Sequence, residues 1–524
     1  MRILISDRIS DKGIKILEKE FQVDVKTGLT EEELINEIKH YDALIVRSST
    51  KVTKKIIDSA QKLKVIGRAG VGVDNIDVSA ATQKGILVVN APEGNTIAAA
   101  EHTLAMLLSL SRKIPQASAS LKAGNWDRKG FMGVEVKGKI LGIIGLGRIG
   151  KEVAKRAKSF QMNIIAYDPY ISQENVFKED IELVEFETLI SKSDFITLHI
   201  PLTPDTKYIL GEKEFKMMKK GVRIINCARG GIIDENALYN AILDGTVAGA
   251  ALDVFETEPP VGNRLLELDQ VVATPHLGAS TEEAQINVSV DVAEDVIRAL
   301  RNETVKNAVN MVTVKPEEWN FLSPYVMLSE KLGRFYSQFR NGRVHKVEMV
   351  FKGKIADTKT SILTSAALKG LLNVILQEPV NLVNAQVVAK ERNIKIIETK
   401  SSDVEDYGNL LILKVYTDKG EGEVGGTVFG NNDQRIVQID EYKIDLIPEG
   451  NIILISHTDK PGMIGKVGSI LGNNDINIAT MQVGRKKPRG EAVMALTVDE
   501  YVNEKILREI AEIEGIEDLK FVVF

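Results

Sequence analysis

Gly145-Leu146-Gly147-Arg148-Ile149-Gly150 is the segment whose residue types and spacing say most about chemistry. An apolar run, Ile140 to Gly145, precedes it and reads as a buried strand. Lys151 to Phe160 follows and reads as a helix. In that setting Gly145 permits a tight turn, Gly147 lets a pyrophosphate approach the backbone, and Gly150 lets the helix lie close to the strand. The helix start offers unpaired N–H groups to the anion. Asp168 closes the next apolar run, NIIAY. Its carboxylate can accept from a ribose diol and repels a 2′-phosphate. A Gly-rich turn alone would share the spacing. Strand, helix and acid together point to a dinucleotide, and to NAD over NADP.

A dehydrogenation of an alcohol needs a base for the hydroxyl proton, a cation for a substrate acid and a dry nicotinamide pocket. Three segments suit these tasks, each at the end of a predicted strand, where open α/β sheets place their ligands. Arg229 follows the run VRIIN and sits between Cys227-Ala228 and Gly230-Gly231. Its planar fork matches a carboxylate, and small neighbours leave room for one. Cys227 reads as a small buried residue and not as a nucleophile. Asp253, Glu256 and Glu258 crowd the segment ALDVFETEPP, although a solvated acidic loop would look the same. His276 stands in TPHLGA, after a β-rich run and before a helix start, in a chain with only six histidines. Histidine is the natural proton carrier near neutral pH, though a hydrogen-bonded structural histidine is the plainer reading. Contact with Glu258 would raise its pKa.

The elements that must position these groups follow from the pattern. The chain has 524 residues, which suggests about three domains. Residues 1–90 alternate short apolar runs (Arg2–Ser6, Ala43–Ser48, Val65–Arg68, Ile86–Asn90) with amphipathic helices, one opened by a capping box of Thr30 and Glu33. A long Ala- and Leu-rich helix, Asn95 to Arg112, leads to the fingerprint unit, with further strands at Phe195–Ile200, Val222–Asn226, Val247–Val254 and Val271–Thr274. A second capping box, Ser280 with Glu283, is expected to open a helix to about Arg301. Residues 317–447 mix helices with Val/Ile-rich strands and Gly-rich turns, and Lys390, Arg392 and Arg435 there are candidate anion binders or a solvated face. Pro448 to Asn451 reads as a linker. The remainder reads as βαββαβ, the split-βαβ arrangement. The net charge of −6 gives no overall reason to expect nucleic acid or an anionic membrane. One cysteine excludes an intrachain disulfide, and neither a signal-peptide pattern nor an apolar stretch of membrane-spanning length is found, so a cytoplasmic protein is expected.

The segments GLGRIG…D, NCARGGIIDENAL and DVFETEPP…TPHLGAST together resemble the D-isomer-specific 2-hydroxyacid dehydrogenases. The resemblance covers essentially the whole chain and is nearest to the long-form members that oxidise 3-phosphoglycerate at the start of serine biosynthesis. It implies NAD as cofactor, no metal, and a catalytic set of Arg229, Glu258 and His276. Gly145, Gly147, Arg148, Ile149, Gly150, Asp168, Cys227, Ala228, Arg229, Asp253, His276, Gly278 and Ala279 would line the cofactor, with Asp253 at the nicotinamide carboxamide. Arg47, Ser48, Arg68, Gly70, Asn95 and Arg229 would approach the substrate, with Arg47 and Arg68 on its phosphate. Position 71 is Val where some relatives carry Thr.

The implied fold is α/β: two Rossmann-like doubly wound domains, then an α+β intervening domain and a βαββαβ ferredoxin-like ACT domain. The substrate domain would be discontinuous, 1–90 completed by 286–305, around an NAD domain at 91–285, with the intervening domain at 310–447. Residues 452–524 resemble the ACT module, in which His457, Asp459 and Asn477 match positions that bind L-serine in relatives; Asp459 stands where some carry Asn. A homotetramer is implied. Another reductase of the family, acting on glyoxylate or hydroxypyruvate, would share the catalytic set, and an NAD-sensing corepressor shares the fold. The appended C-terminal domains and the pair Arg47 and Arg68 favour a phosphorylated substrate and end-product control.

Overall fold

Short apolar strands, each too buried to stand alone, assemble first into two parallel sheets. The computed structural model describes residues 1–173, 181–376, 379–403 and 406–524. In the first sheet, β1 (Arg2–Ile5), β2 (Gln22–Val25), β3 (Ala43–Val46), β4 (Val65–Arg68) and β5 (Leu87–Asn90) run in the order β2-β1-β3-β4-β5, all parallel. The strand order reverses between β1 and β3, which opens a crevice at their C-terminal ends. Alternate residues fill the two faces. Ile3, Ile5, Ala43, Ile45 and Val65 pack on one side, Leu4, Leu44, Val46 and Ile66 on the other.

The first of these faces is closed by a helix from far along the chain. Glu282–Leu300 lays Val288, Val292 and Val296 on it. Gly67 permits the approach, because a Cβ there would meet Val292 Cγ1 at 2.6 Å. The Thr30–Glu33 capping box is present. The expected Ser280–Glu283 box is not: Thr281 is the N-cap and accepts from Ala284 N at 3.2 Å. Ser280 N is used in a turn to Leu277 O, so the helix starts one residue later.

The second sheet contains β6 (Ile140–Ile144), β7 (Asn163–Tyr167), β8 (Glu182–Leu183), β9 (Phe195–Leu198), β10 (Val222–Asn226), β11 (Val247–Leu252) and β12 (Val271–Ala273). Their order is β12-β11-β10-β9-β6-β7-β8, again parallel, with its reversal between β6 and β9. This is the doubly wound dinucleotide-binding order extended by one strand. The helices Thr96–Arg112 and Arg148–Ser159 bury Leu104, Leu107, Val153 and Ala154 against one face.

Residues 344–446 form a six-stranded sheet, β14-β13-β15-β16-β17-β18, from β13 (Val344–Gly353), β14 (Lys395–Ser401), β15 (Asn409–Thr417), β16 (Gly420–Phe429), β17 (Asp433–Ile439) and β18 (Tyr442–Leu446). Only β13 and β14 pair in parallel. Helices Pro316–Phe339 and Ser361–Ile375 cross its covered face. They touch backbone to backbone at two glycines: a Cβ on Gly333 would lie 2.0 Å from Ala367 O, and one on Gly370 1.9 Å from Glu330 O. The last unit has β19 (Asn451–Thr458), β20 (Ile478–Arg485), β21 (Glu491–Val498) and β22 (Ile516–Val523) in the antiparallel order β20-β21-β19-β22, with helices Met463–Asn473 and Glu504–Ala511 on one face. No helix among the described residues is long and apolar enough to cross a membrane.

The glycine contact makes the helix pair sensitive to a single methyl group. Gly333→Ala is expected to push the two helices apart and cost about 1–3 kcal/mol of stability, as overpacking does. Thermal unfolding would register a lowered midpoint, while NAD affinity, seated on another sheet, stays unchanged.

Candidate active site

The fingerprint turn has the geometry its sequence demands. Gly145 has φ +93, and a Cβ there would meet His199 O at 2.6 Å. A Cβ on Gly150 would strike Gly145 O at 2.2 Å, so strand end and helix start are in contact. At Gly147 a Cβ would meet nothing within 4 Å: the space beside the turn is open for a ligand. Gly147 is also the N-cap of Arg148–Ser159, and no side chain caps the first turn. Open space and free N–H groups together fit a pyrophosphate. Arg148 lies 3.5 Å from Glu93, and Ile149 packs on the core below the turn. Asp168 ends β7 and accepts from Leu146 N and Tyr170 N, both at 2.9 Å. That ties the acid to the fingerprint turn and leaves lone pairs for a diol.

The substrate-side cations come from both sheets. Arg47 follows β3 at the first crevice, where Asp7 accepts from its backbone N at 2.6 Å and Asn75 Nδ2 donates to its carbonyl at 2.6 Å. Ser48 is exposed beside it. Arg68 ends β4. Burial, and then repulsion by Arg229 and Arg47, push its pKa down to about 10. Burial also lowers that of Arg47. Arg68 Nε and Asn95 Oδ1 are buried with no hydrogen-bond partner. Such groups ordinarily find one: the Arg68 N–H fits an anionic ligand, whereas the Asn95 oxygen, an acceptor, fits a donor such as a hydroxyl. Two glycines make the space: a Cβ on Gly70 would sit 1.5 Å from Arg68 Nη1, and one on Gly72 1.9 Å from Arg229 Nη2.

Arg229 leaves β10 as expected. Its Nε donates to Asp74 Oδ2 at 3.0 Å and its Nη1 to Ala228 O at 2.7 Å. The small residue after it serves packing and not ligand access, since a Cβ on Gly230 would lie 1.8 Å from Phe255 O. Burial, then Asp253, raises the Cys227 thiol to about 12, so it is inert as a nucleophile.

His276 and Glu258 are brought together from the ends of β12 and β11. His276 Nδ1 lies 2.9 Å from Glu258 Oε2. The hydrogen bond to Glu258 raises the His276 pKa above its ordinary value of 6.5, with burial opposing. Burial works against the Glu258 charge, but the His276 contact outweighs it and the carboxyl lies below its usual range. His276 adopts φ 56, which is uncommon for a non-glycine residue. Asp253 is fully buried and accepts from Thr274 Oγ1, Leu277 N and Gly278 N at 2.6, 2.7 and 2.8 Å. A carboxamide at Asp253 would therefore share oxygens that already hold the loop. Ala279 O accepts from Gln285 at 3.1 Å, which joins this loop to the helix closing the first sheet. Asp74 and Asn75 close the segment Arg68–Asn75, which also resembles the family's substrate-side segments, and the structure shows what they hold: the side chain of Arg229 and the backbone of Arg47. Sequence reading missed His102, a partner of Asp253 that lies in no motif of its own.

The C-terminal residues are not gathered in the same way. His457 is buried, with Nδ1 3.0 Å from Thr458 O and Nε2 without a partner. Asp459 follows β19 and accepts from Arg485 Nη1 at 2.8 Å and Arg489 N at 3.1 Å. Asn477 precedes β20, whose first residue pairs with Val498, as does Asn451 at the opposite end of β19. Six strand steps along β19, Asn451 to His457, at about 3.3 Å each put Asn477 roughly 20 Å from His457, with Asp459 farther along. No single small ligand reaches all three within one chain. In the intervening unit Arg435 is held by Asp433 and Asp445, at 2.9 and 3.0 Å, and is not a free anion binder. No cluster of metal-ligating side chains occurs among the described residues.

Comparison with known proteins agrees with this geometry. Residues 104–278 match the NAD binding domain of the D-isomer specific 2-hydroxyacid dehydrogenases, 321–440 the D-3-phosphoglycerate dehydrogenase intervening domain, and 451–515 the ACT domain. Among solved structures, a D-lactate dehydrogenase of Aquifex aeolicus complexed with NAD and lactic acid is 27% identical, with a TM-score of 0.54 over 59% of this chain and 99% of that one. The TT0316 protein of Thermus thermophilus is 32% identical, with a TM-score of 0.55 over 59% of this chain and 100% of that one. The chain belongs to the D-isomer-specific 2-hydroxyacid dehydrogenases. A D-3-phosphoglycerate dehydrogenase of Methanocaldococcus jannaschii is 51% identical over 100% of this chain and 99% of its own length, and one of Bacillus subtilis 45% over 99% of each. Within the wider family, then, its place is among the D-3-phosphoglycerate dehydrogenases.

The His276–Glu258 contact sets a pH dependence. As base in an oxidation, His276 must be neutral. Its raised pKa therefore puts the acid limb of kcat/KM above 6.5, with activity rising as pH rises. Glu258→Gln removes the charge that favours the imidazolium. The limb is expected to move to lower pH, and kcat to fall about 10- to 100-fold. A pH–rate profile of both proteins checks this; a limb that does not move would separate Glu258 from the titration.

Proposed function

We propose that the chain oxidises D-3-phosphoglycerate to 3-phosphohydroxypyruvate with NAD, the step that opens L-serine synthesis. The observation that carries this reading is the convergence of Arg47, Arg68 and Arg229 beside the His276–Glu258 pair. A substrate with an anion at each end satisfies three guanidinium groups; a plain 2-hydroxy acid leaves two of them in surplus. In this reading residues 1–90 with 286–305 form the substrate domain, 91–285 the NAD domain, 310–447 the intervening domain and 452–524 the ACT domain.

The roles follow from the contacts. Arg47 and Arg68 take the phosphate, beside Ser48, Gly70 and Asn95. Arg229, steadied by Asp74, takes the carboxylate and the C2 oxygen. Bound NAD supplies the acceptor for the C2 hydride. Gly147 and the first turn behind it hold the pyrophosphate, Asp168 the ribose, and the backbone at Cys227-Ala228 and Gly278-Ala279 borders the nicotinamide. His276 engages Glu258 through Nδ1, which leaves Nε2 to take the hydroxyl proton, and Glu258 stabilises the imidazolium. Closure of the two sheets' crevices on each other would exclude water.

Turnover of D-3-phosphoglycerate, measured as NADH formation beside hydroxypyruvate and glyoxylate reduction, tests the substrate. Arg68→Leu is expected to raise KM for phosphoglycerate about 10- to 100-fold, the worth of one or two charged hydrogen bonds, and to leave unphosphorylated acids unaffected. Turnover confined to unphosphorylated acids would remove the phosphate role. No turnover with any acid would move the reading to NAD sensing.

For the ACT unit we read an L-serine site completed by a second copy of the chain, because Asn477 stands at the far end of the sheet from His457 and Asp459. A homo-oligomer, a tetramer in this reading, is supported by apolar side chains exposed on one arm: Ile114, Leu121, Trp126 and Met132 at 52, 56, 79 and 78%. L-serine is expected to suppress turnover of the native chain, and Asn477→Ala to abolish the suppression without changing basal turnover. Suppression that survives the substitution would exclude Asn477 from the site.

A further inference from the structure

The segment carrying His276 has almost no secondary structure to fix it. β12 ends at Ala273, and the next helix starts at Glu282. His276 nevertheless holds a left-handed backbone, with its N–H shared between Asp253 O at 2.9 Å and Thr274 O at 3.0 Å. Three of the groups that secure the residues on either side converge on one carboxylate. Asp253 Oδ1 accepts from Leu277 N and Thr274 Oγ1, and Oδ2 from Gly278 N.

That carboxylate is completely buried. A buried charge needs a countercharge or a full set of donors if it is to stay ionised. His102 supplies one of these donors, with Nε2 3.2 Å from Oδ1 and 3.1 Å from Thr274 Oγ1. Thr274 already donates its hydroxyl hydrogen to Asp253, so toward His102 it accepts; the imidazole therefore carries its hydrogen on Nε2. Burial pushes the Asp253 pKa up, and the hydrogen bonds from His102, Thr274 and Leu277 more than reverse this. His102 belongs to Thr96–Arg112, a seventeen-residue helix anchored in the core by Leu104, Met106 and Leu107, and so a rigid post.

We infer that His102 is a positioning residue for His276: it holds the buried Asp253 carboxylate, which clamps the backbone of Leu277 and Gly278 and thereby aims the imidazole. With an apolar residue at 102, the carboxylate loses a hydrogen-bond donor. It then takes up a proton or swings toward water. Either response weakens the acceptance of two backbone N–H groups, and His276 loses its fixed direction although its contact with Glu258 survives.

The inference rests on reading His276 as the acid/base, so turnover of the native chain is measured first. His102→Leu is expected to lower kcat at least about 10-fold while KM for phosphoglycerate and the Kd for NAD stay within about 3-fold, the pattern of a misaimed catalytic group. His102→Gln puts an amide N–H near the place of Nε2 and is expected to recover kcat to within about 3-fold of the native value. If the Leu variant does not fold, His102→Asn, polar but too short to reach, carries the same expectation. Undiminished kcat in the Leu or Asn variant overturns the inference, as does a Gln variant as impaired as the Leu one. If the native chain turns over another 2-hydroxy acid instead, the substrate reading fails and the same comparison is made on that acid. A native chain inactive on every acid overturns the role of His276 and this inference with it.

Discussion

Three guanidinium groups held within reach of one another in a partly buried place are a standing electrostatic cost, and much of the catalytic half of the molecule meets it. Repulsion and burial lower the Arg68 pKa to about 10, so the protein resists its charge even in the free state. The groups cannot relax apart because each is fixed by a different part of the chain. Arg47 hangs from β3, with Asp7 and Asn75 on its backbone. Arg68 ends β4 under the Gly70 turn, and Arg229 leaves the second sheet and is braced by Asp74 from the first. At Gly70 and Gly72 a Cβ would displace the Arg68 and Arg229 guanidinium groups from their places. In the proposed reading an anionic substrate would relieve this repulsion, and charge would then be the basis of substrate selection.

This arrangement needs the C-terminal ends of two parallel sheets to face one site, and one chain achieves that by leaving the first unit and returning to it. The helix Glu282–Leu300 buries its valines under β1, β3 and β4, yet it starts only a few residues after His276. The acid/base loop is thus tied at one end to β12 of the second sheet and at the other to the core of the first. Gln285 of that helix donates to Ala279 O, a contact that spans the join. A movement of one sheet relative to the other is therefore felt at His276.

What the sequence made legible follows from what each residue depends on. The fingerprint, Arg229, Glu258 and His276 stand at strand ends, and strand ends follow from apolar runs alone. The helix at 282 was placed one residue early because Ser280 and Thr281 are both competent caps, and a backbone turn to Leu277 chose between them. His102 was invisible, and so was the tie from Asp74 to Arg229, although Asp74 stands in a segment, Arg68–Asn75, that resembles the family. Their significance comes from pairings across 151 and 155 positions, and no local pattern encodes those. Gly230 was assigned to ligand access, but the spacing could not reveal that Phe255 O occupies that side. Arg435 reads as an anion binder although Asp433, two residues before it on β17, lies on the same strand face, and Asp445 meets it through the pairing of β17 with β18.

The same contrast between apolar and polar contacts divides the C-terminal half. The outer face of the last sheet packs Ile452, Leu454, Ala495 and Val522 into the same core as Phe335 and Leu332 of the intervening unit, and Gln338 pairs both ways with the backbone of Val523. These two units share one core and move as one body. The joint to the first sheet is mostly polar, although Val383 of the intervening unit packs on that sheet's core. Asn381 donates to Gly85 O, Gln83 to Glu391, and Asn310 to Ile86 O and Thr82. Hydrogen bonds of this sort exchange with water at little net cost, whereas an apolar core cannot open without exposing its area. The joint lies at the turn before β5, the strand whose far end carries Asn90 beside the Val71 loop of the anion site. Within one chain, this joint is the contact between the shared core of the last two units and the sheet whose strand ends carry Arg47 and Arg68, so a change passed along a single chain toward those arginines would cross it.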